Sequence, residues 1–372
     1  MADVLRELIN FQSYSGQERP ILEYIKAHLE QNGIKPFYQG DNLVVKLQGQ
    51  DSSRAFIFNG HVDIVDIGDS KRWKHDPWLG EVVGGRIYGR GASDMKGGIL
   101  AMMETTKSLA GRKYLPTDVW FTFVVKEETD GSGTEQFAQW FQLQGYKKQY
   151  SELVAIFAEP TSLDTVQYGH RGNFFIEAEK IGVSAHSSRP REIDPHAILE
   201  MSKFILDLEA ENLRWQKEFE NAEFAPPTIT PTSIEGKSES PNKTADNCRV
   251  HFDLRTIPLY HQEAFDRVRD LAKQRSIKLS LLHSPAPTGY TDPEARIIKV
   301  FQRVVPGVKK EVNDASNDLG FFTQVGIDGV IFGPGEMPQA HREDESADIN
   351  QITTAPKFFE EIYLIWAGIT KA

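Results

Sequence analysis

Three apolar runs between residues 55 and 158 each lead into a histidine or a glutamate. Ala55-Phe56-Ile57-Phe58 runs into His61, residues 118–125 into Glu127 and Glu128, and residues 153–158 into Glu159. Apolar runs of this length, alternating with helical periodicity, read as buried strands of an α/β fold with a mainly parallel sheet. In such sheets ligands collect at the carboxyl ends of the strands. The four side chains therefore gather at one edge, near the helix that begins at Asp94. Each acid alone is an ordinary solvated strand end; their recurrence at equivalent positions is the signal.

The segment Asn59-Gly60-His61-Val62-Asp63 gives that edge a chemistry. A neutral imidazole nitrogen of His61 can bind a metal, and Asp63 can accept the other ring N–H and fix the tautomer. A buried histidine satisfied by a carboxylate would leave the same trace. Asp94, in Ser93-Asp94-Met95-Lys96-Gly97-Gly98, could equally cap the helix that follows. Its glycines do not form a phosphate loop, because the lysine precedes them. A second histidine, His341, lies among acids in Ala340-His341-Arg342-Glu343-Asp344-Glu345. Histidines and carboxylates without cysteine suit zinc, manganese or cobalt. A carboxylate shared between two such ions, roughly 3.5–4 Å apart, makes a two-metal hydrolytic site. Adjacent residues on an extended chain point to opposite sides, so within Glu127-Glu128 one carboxylate can ligate while the other serves as general base.

The remaining pattern predicts the organisation. Residues 3–32 read as helical with a break at Ser13-Tyr14-Ser15-Gly16, residues 42–47 as a strand, and 66–91 as a long loop rich in Trp, Asp, Pro and Gly. From 174 to 283 the order is βαββαβ, the ferredoxin-like arrangement. The first domain is thus predicted to be discontinuous, residues 1–172 and 285–372, with 173–284 inserted as a separate domain. The last helix is predicted from Pro356 to Ile369.

Composition removes several classes. No apolar run approaches the roughly 18 residues of a membrane span, and the first residues lack a signal-peptide pattern. A net charge of −11 argues against nucleic acid. A single cysteine, Cys248, excludes an internal disulfide and suits the cytoplasm.

Read together, Gly60–Asp63, Gly89–Gly98, Glu127-Glu128, Glu159-Pro160 and His341 with Glu345 resemble the co-catalytic zinc amidohydrolases and peptidases, the family of succinyl-diaminopimelate desuccinylase, acetylornithine deacetylase, aminoacylase and glutamate carboxypeptidase. The resemblance implies a zinc-peptidase-like catalytic domain holding two divalent ions, zinc first, cobalt or manganese as alternatives, and makes the inserted 173–284 a lid and dimerisation domain. It implies that Asp94 bridges them, with His61 and Glu159 completing one site and Glu128 and His341 the other. Asp63 would orient His61, and Glu127 would be the base. It also implies a cis peptide at Asp94-Met95. His186, in Ser184-Ala185-His186-Ser187, would stabilise the oxyanion from the partner subunit of a homodimer; without the family it reads as a surface histidine. Arg255, Arg171 and Asn242 are candidate binders of a substrate carboxylate, since an arginine fork fits a carboxylate bidentately. For Arg255 a strand-end salt bridge is an equal alternative.

The expected reaction is hydrolysis of an amide in a small N-acyl amino acid. A dipeptidase or carboxypeptidase is the near alternative, and a phosphoesterase or a non-catalytic binder of amino-acid derivatives the distant ones. An intact Glu127 speaks against the binder. Two departures, Asp66-Ile67-Gly68 after the first motif and Asn242-Lys243-Thr244-Ala245 in the lid, leave the substrate open.

Overall fold

The computed structural model describes residues 1–220 and 222–369. The chain divides into two compact units: residues 1–169, 289–312 and 317 onward form one, and residues 170–288 with 313–316 the other. The sequence pattern puts the joints at 172/173 and 284/285. It has no signal for Asn313–Ser316, a polar stretch without apolar periodicity.

The first unit is built on a nine-stranded sheet. In spatial order the strands are Phe37–Gln39, Asn42–Leu47, Thr117–Val124, Asp51–His61, Glu152–Phe157, Asp328–Ile331, Thr165–His170 and Gly289–Tyr290, with Lys309–Asn313 paired to Thr165–His170 off this path. The four strands from Thr117–Val124 to Asp328–Ile331 run parallel, and the flanking pairs are antiparallel. The parallel strands are covered on both faces, which explains their continuous apolar runs. Residues still alternate between faces. Phe56, Phe58 and Phe121 belong to one core with the helices Gly97–Ala110 and Ile349–Trp366. Ile57, Trp120, Ala155 and Phe157 belong to another with Phe137 and Phe141 of Ser132–Leu143. Phe58 stacks on Phe121 at 4.9 Å between centroids, and Phe56 meets Trp366 edge-on at 5.2 Å. Burying one such ring is worth roughly 2–3 kcal/mol.

Register brings the site-bearing ends level. His61 lies opposite Val124, and Asn59 opposite Phe157, which in turn faces Ile331. Two glycines let neighbouring segments close onto this edge. A Cβ on Gly98 would lie 2.1 Å from the Ala158 carbonyl oxygen, and one on Gly333 would lie 2.3 Å from the same atom. Only residues without a side chain fit at these two approaches to the Ala158 carbonyl.

Several boundaries differ from the pattern-based expectation. The strand read as 55–58 extends from Asp51 to His61, because its exposed amino-terminal half carries no apolar signal. The 66–91 loop contains a hairpin, Glu81–Val83 with Arg86–Tyr88, to which Ser346–Asp348 adds a third strand. The last helix begins at Ile349 rather than Pro356. Asp348 caps it by accepting from the Asn350 amide at 2.7 Å, and Pro356 lies inside it.

The second unit follows βαββαβ: Gly172–Ile181, Ala197–Glu218, Thr228–Glu235, Asn247–Thr256, His261–Gln274 and Lys278–Leu281. Its four strands are antiparallel in the order third-element, fourth, first, last. Val250, Phe252 and Leu254 join the core with Phe204, Leu208 and Val268 of the helices. Arg249, His251, Asp253 and Arg255 alternate with them. Among the described residues no helix is long and apolar enough to cross a membrane.

Candidate metal centre

The expected donors meet at the carboxyl edge of the parallel strands, all within the first unit. His61 is the last residue of its strand, Glu127 and Glu128 follow Thr117–Val124, and Glu159 follows Glu152–Phe157. Asp94 lies just before the helix Gly97–Ala110, with φ −122° and ψ 97°, outside helical geometry. Its side chain caps nothing there, so the capping alternative falls away. The Asp94–Met95 peptide is cis, as the resemblance implies. His341 adopts a left-handed backbone, φ 61°, on an irregular segment.

Two donor clusters result, and Asp94 belongs to both. His61 Nε2 lies 3.2 Å from Asp94 Oδ1 and 3.5 Å from Glu159 Oε1. His341 Nε2 lies 3.2 Å from Asp94 Oδ2 and 3.0 Å from Glu128 Oε2. Within each triad the ligand atoms lie within 4.8 Å of one another, close enough to surround one ion. The donors are nitrogen and oxygen without thiolate, the set expected for zinc, cobalt or manganese. One triad is buried; the other opens toward solvent through His341, whose side chain is 52% exposed.

Asp63 does more than the sequence suggested. The hydrogen bond at His61 Nδ1 goes to the Asp63 backbone carbonyl at 3.0 Å, while its carboxylate stands at 3.5 Å. That carboxylate instead accepts from Ser15 Oγ at 2.7 Å and from the amides of Glu127 and Glu128 at 3.2 and 3.1 Å. It thereby fixes the backbone of the acidic doublet. Among the described residues the Glu127 carboxylate has no hydrogen-bond or ion-pair partner, whereas Glu128 is held by His341. The two carboxylates have different surroundings, although the doublet lies in a turn beyond Val124 and not on an extended segment as expected.

Burial dominates the electrostatics, and crowding of like charge adds to it. Burial raises Glu127 well above the usual carboxylate range; His61 opposes this, and Asp318, Glu159 and Glu128 add to it. Burial likewise pushes Glu159 up to about 7 against His61, with Asp94 and Glu128 contributing. Glu128 is raised by burial and by Asp94. Against the pull of burial, hydrogen bonds from His341 and His61 hold Asp94 low. Hydrogen bonds from Asp94 and Glu128 lift His341 to about 10. So many buried carboxyls around two imidazoles make a site whose charge a pair of cations would balance.

The other candidates lie in the second unit. His186 Nε2 is 3.3 Å from Asn242 Nδ2. Arg255 forms a salt bridge with Asp253 at 2.8 Å. Arg171 is buried, donates to Thr228 Oγ1 at 2.7 Å and lies 3.7 Å from Asp314.

Sequence reasoning missed Ser15 and Asp318. Ser15 lies in the polar break between the first two helices, visible only as an interruption. Asp318, 2% exposed, accepts from Thr134 Oγ1 at 2.6 Å, and burial pushes it to about 8. Nothing in Ser316-Asn317-Asp318-Leu319 separates it from a helix cap.

Comparison with known proteins agrees with this geometry. The chain is 27% identical to N-formyl-4-amino-5-aminomethyl-2-methylpyrimidine deformylase of Bacillus subtilis, over 100% of this chain and 95% of that protein. It is 28% identical to acetylornithine deacetylase of Aliivibrio fischeri, over 92% of this chain and 86% of that one. A metallo-carboxypeptidase of Sulfolobus solfataricus shares the fold, with a TM-score of 0.76, 18% identity and 98% of each chain covered. Residues 57–364 match the family described as peptidase family M20/M25/M40. That match spans most of the chain and contains every donor on the sheet edge, and it settles the kinship: this chain is a hydrolytic enzyme of peptidase family M20/M25/M40.

Proposed function

We propose that this hydrolase cleaves the amide bond of a small N-acyl amino acid, of the desuccinylase or deacetylase kind, with two divalent cations that are zinc in the native enzyme. One observation carries the reading: the two oxygens of Asp94 face different histidines, Oδ1 toward His61 and Oδ2 toward His341. A carboxylate so placed could be shared by two ions. His61, Asp94 and Glu159 would hold one, and Asp94, Glu128 and His341 the other. Bound there, the ions acidify a water and polarise the amide carbonyl. The chain's own work is proton transfer and positioning. Glu127 takes the proton of the attacking water on its unengaged carboxylate and returns it to the leaving nitrogen. Asp63 keeps His61 and the Glu127-Glu128 backbone in register.

Relatives named as a deformylase and a deacetylase, each aligned over most of this chain, support deacylation over peptide cleavage. The substrate carboxylate is assigned to Arg255, Arg171 and Asn242, and oxyanion stabilisation to His186 of the partner subunit in a homodimer joined through the second unit. The exposed edge strand Thr228–Glu235 and the exposed Leu206 and Leu213 of Ala197–Glu218 support that pairing. The buried, unpaired Cys248 supports a cytoplasmic setting.

The test is a panel of N-formyl, N-acetyl and N-succinyl amino acids and dipeptides, assayed with zinc, cobalt and manganese. Metal-dependent release of the acyl group, with dipeptides poorer by tenfold or more, is expected. A preference for dipeptides would overturn the deacylase assignment.

A further inference from the structure

The segment that carries His341 ends in a second acid, Glu345, which is fully buried and belongs to neither donor triad. Its carboxylate has no capacity left for an ion. Oε1 accepts from the Ser93 amide at 2.9 Å and the Asp94 amide at 3.1 Å. Oε2 accepts from Arg90 Nη1 at 2.7 Å and the Gly91 amide at 3.1 Å. A carboxylate offers about four acceptor positions, and these four donors fill them. Three are consecutive or nearly consecutive backbone amides of the loop that presents Asp94. The loop is irregular, so those amides have no helical partners to fix them.

The other end of the connection is His341, four residues upstream. Its side chain pairs with Asp94 and Glu128, and its segment has no regular structure. The segment is anchored through its neighbours. Asp344 Oδ1 accepts from the amides of Lys74 and His75 at 2.7 and 3.1 Å, and the Glu345 carbonyl accepts from the Gly89 amide at 2.9 Å.

We propose that Glu345 is a positioning residue for the bridging carboxylate. It clamps the Gly91–Asp94 backbone to the His341 segment, so that the two oxygens of Asp94 keep their divided aim. This rests on the two-ion reading above and adds a residue that binds no ion yet sets the geometry of both sites. Outer-shell partners of this kind typically change metal affinity by roughly 10–100-fold when lost. Glu345→Gln replaces one acceptor oxygen with an NH2 group, which sets donor against donor at two of the four contacts.

The test uses the full chain and three readouts. Competition with a chromophoric chelator measures zinc affinity, the visible absorption of the cobalt-substituted enzyme reports coordination geometry, and hydrogen exchange follows the amides of Gly91, Ser93 and Asp94. For Glu345→Gln the expected result is zinc affinity at least tenfold weaker, with an altered cobalt spectrum. A merely structural role would lower the melting temperature of the metal-free and loaded forms alike and leave affinity and spectrum unchanged; that outcome overturns the proposal. If the variant does not fold, the wild type still decides. The three amides should stay protected after the metal is removed, because the carboxylate and not the ion holds them; free exchange in the metal-free protein overturns the clamp. Wild-type enzyme that binds no zinc at all would instead refute the two-ion reading.

Discussion

Gly98→Ala is the substitution whose cost can be worked from the coordinates. The added methyl would sit 2.1 Å from the Ala158 carbonyl oxygen, against a practical minimum of 3.0 Å for a real Cβ contact, so the two segments must separate by 3.0 − 2.1 = 0.9 Å. The Ala158–Glu159 peptide has little room to retreat, because Gly333 also approaches it closely. Overpacking of this kind costs about 1–3 kcal/mol. Alanine returns up to about 1 kcal/mol as the better helix former. The net loss is about 1–2 kcal/mol, which lowers the melting temperature by roughly 3–6 °C for a unit of this size. The functional effect should be larger. The displaced peptide carries Glu159, and a misplacement of about 1 Å can cost a hundredfold in rate. Calorimetry and kcat/KM on the best N-acyl substrate provide the assay. Gly111→Ala is the control: its φ is −74° and nothing lies nearer than 3.5 Å, so stability should change by under about 0.5 kcal/mol. A Gly98→Ala enzyme with wild-type melting and turnover would refute the argument that close approach at Ala158 positions Glu159.

Glu127→Gln should abolish nearly all turnover while zinc stays near two per chain by elemental analysis; Glu128→Gln and Asp94→Asn should lose zinc instead. Removing the ions with a chelator leaves Asp94, Glu128 and Glu159 to repel one another, and the melting temperature should fall. Restored zinc at about a thousand times its Kd should return roughly 4 kcal/mol. His170 is buried and pushed down to about 4 by desolvation, against an ordinary value near 6.5. Between those values the unfolded chain binds the extra proton, so stability is full above about pH 6.5 and falls as pH drops to 4, by up to about 3 kcal/mol. Urea midpoints across pH should show this limb, and His170→Gln should flatten it. Finally, His186→Ala and Glu127→Gln, each nearly inactive alone, should recover activity when their subunits exchange. Verified mixed dimers without recovery would eliminate action in trans.

The central strands were legible because parallel strands buried on both faces cannot avoid continuous apolar runs, and Val119–Val125 or Leu153–Ala158 admits no other reading. Each run's polar terminus then marked a donor. What stayed hidden was local hydrogen bonding. In the hairpin around Gly84-Gly85 the strand Glu81–Val83 is wholly exposed, Val82 and Val83 included, and so shows no burial pattern. The start of the last helix depends on a cap at Asp348, while Pro356 reads as a beginning because proline favours the first turn. The further contacts of the Asp63 carboxylate stayed hidden for the same reason. The backbone amides of Glu127 and Glu128 are its partners, and amides are common to every residue.

The order of the segments along the chain has a consequence for biosynthesis. Every strand of the second unit's sheet lies between residues 172 and 281, so that sheet can close as soon as the segment leaves the ribosome. The first unit must wait. Its sheet lacks Asp328–Ile331, and the Phe56–Phe58 face lacks the Phe359, Tyr363 and Trp366 that cover it, until the last fifty residues emerge. A nascent chain halted near residue 300 would therefore carry a finished, protease-resistant middle behind an amino-terminal half with bare aromatic surface, the kind of intermediate that chaperones hold.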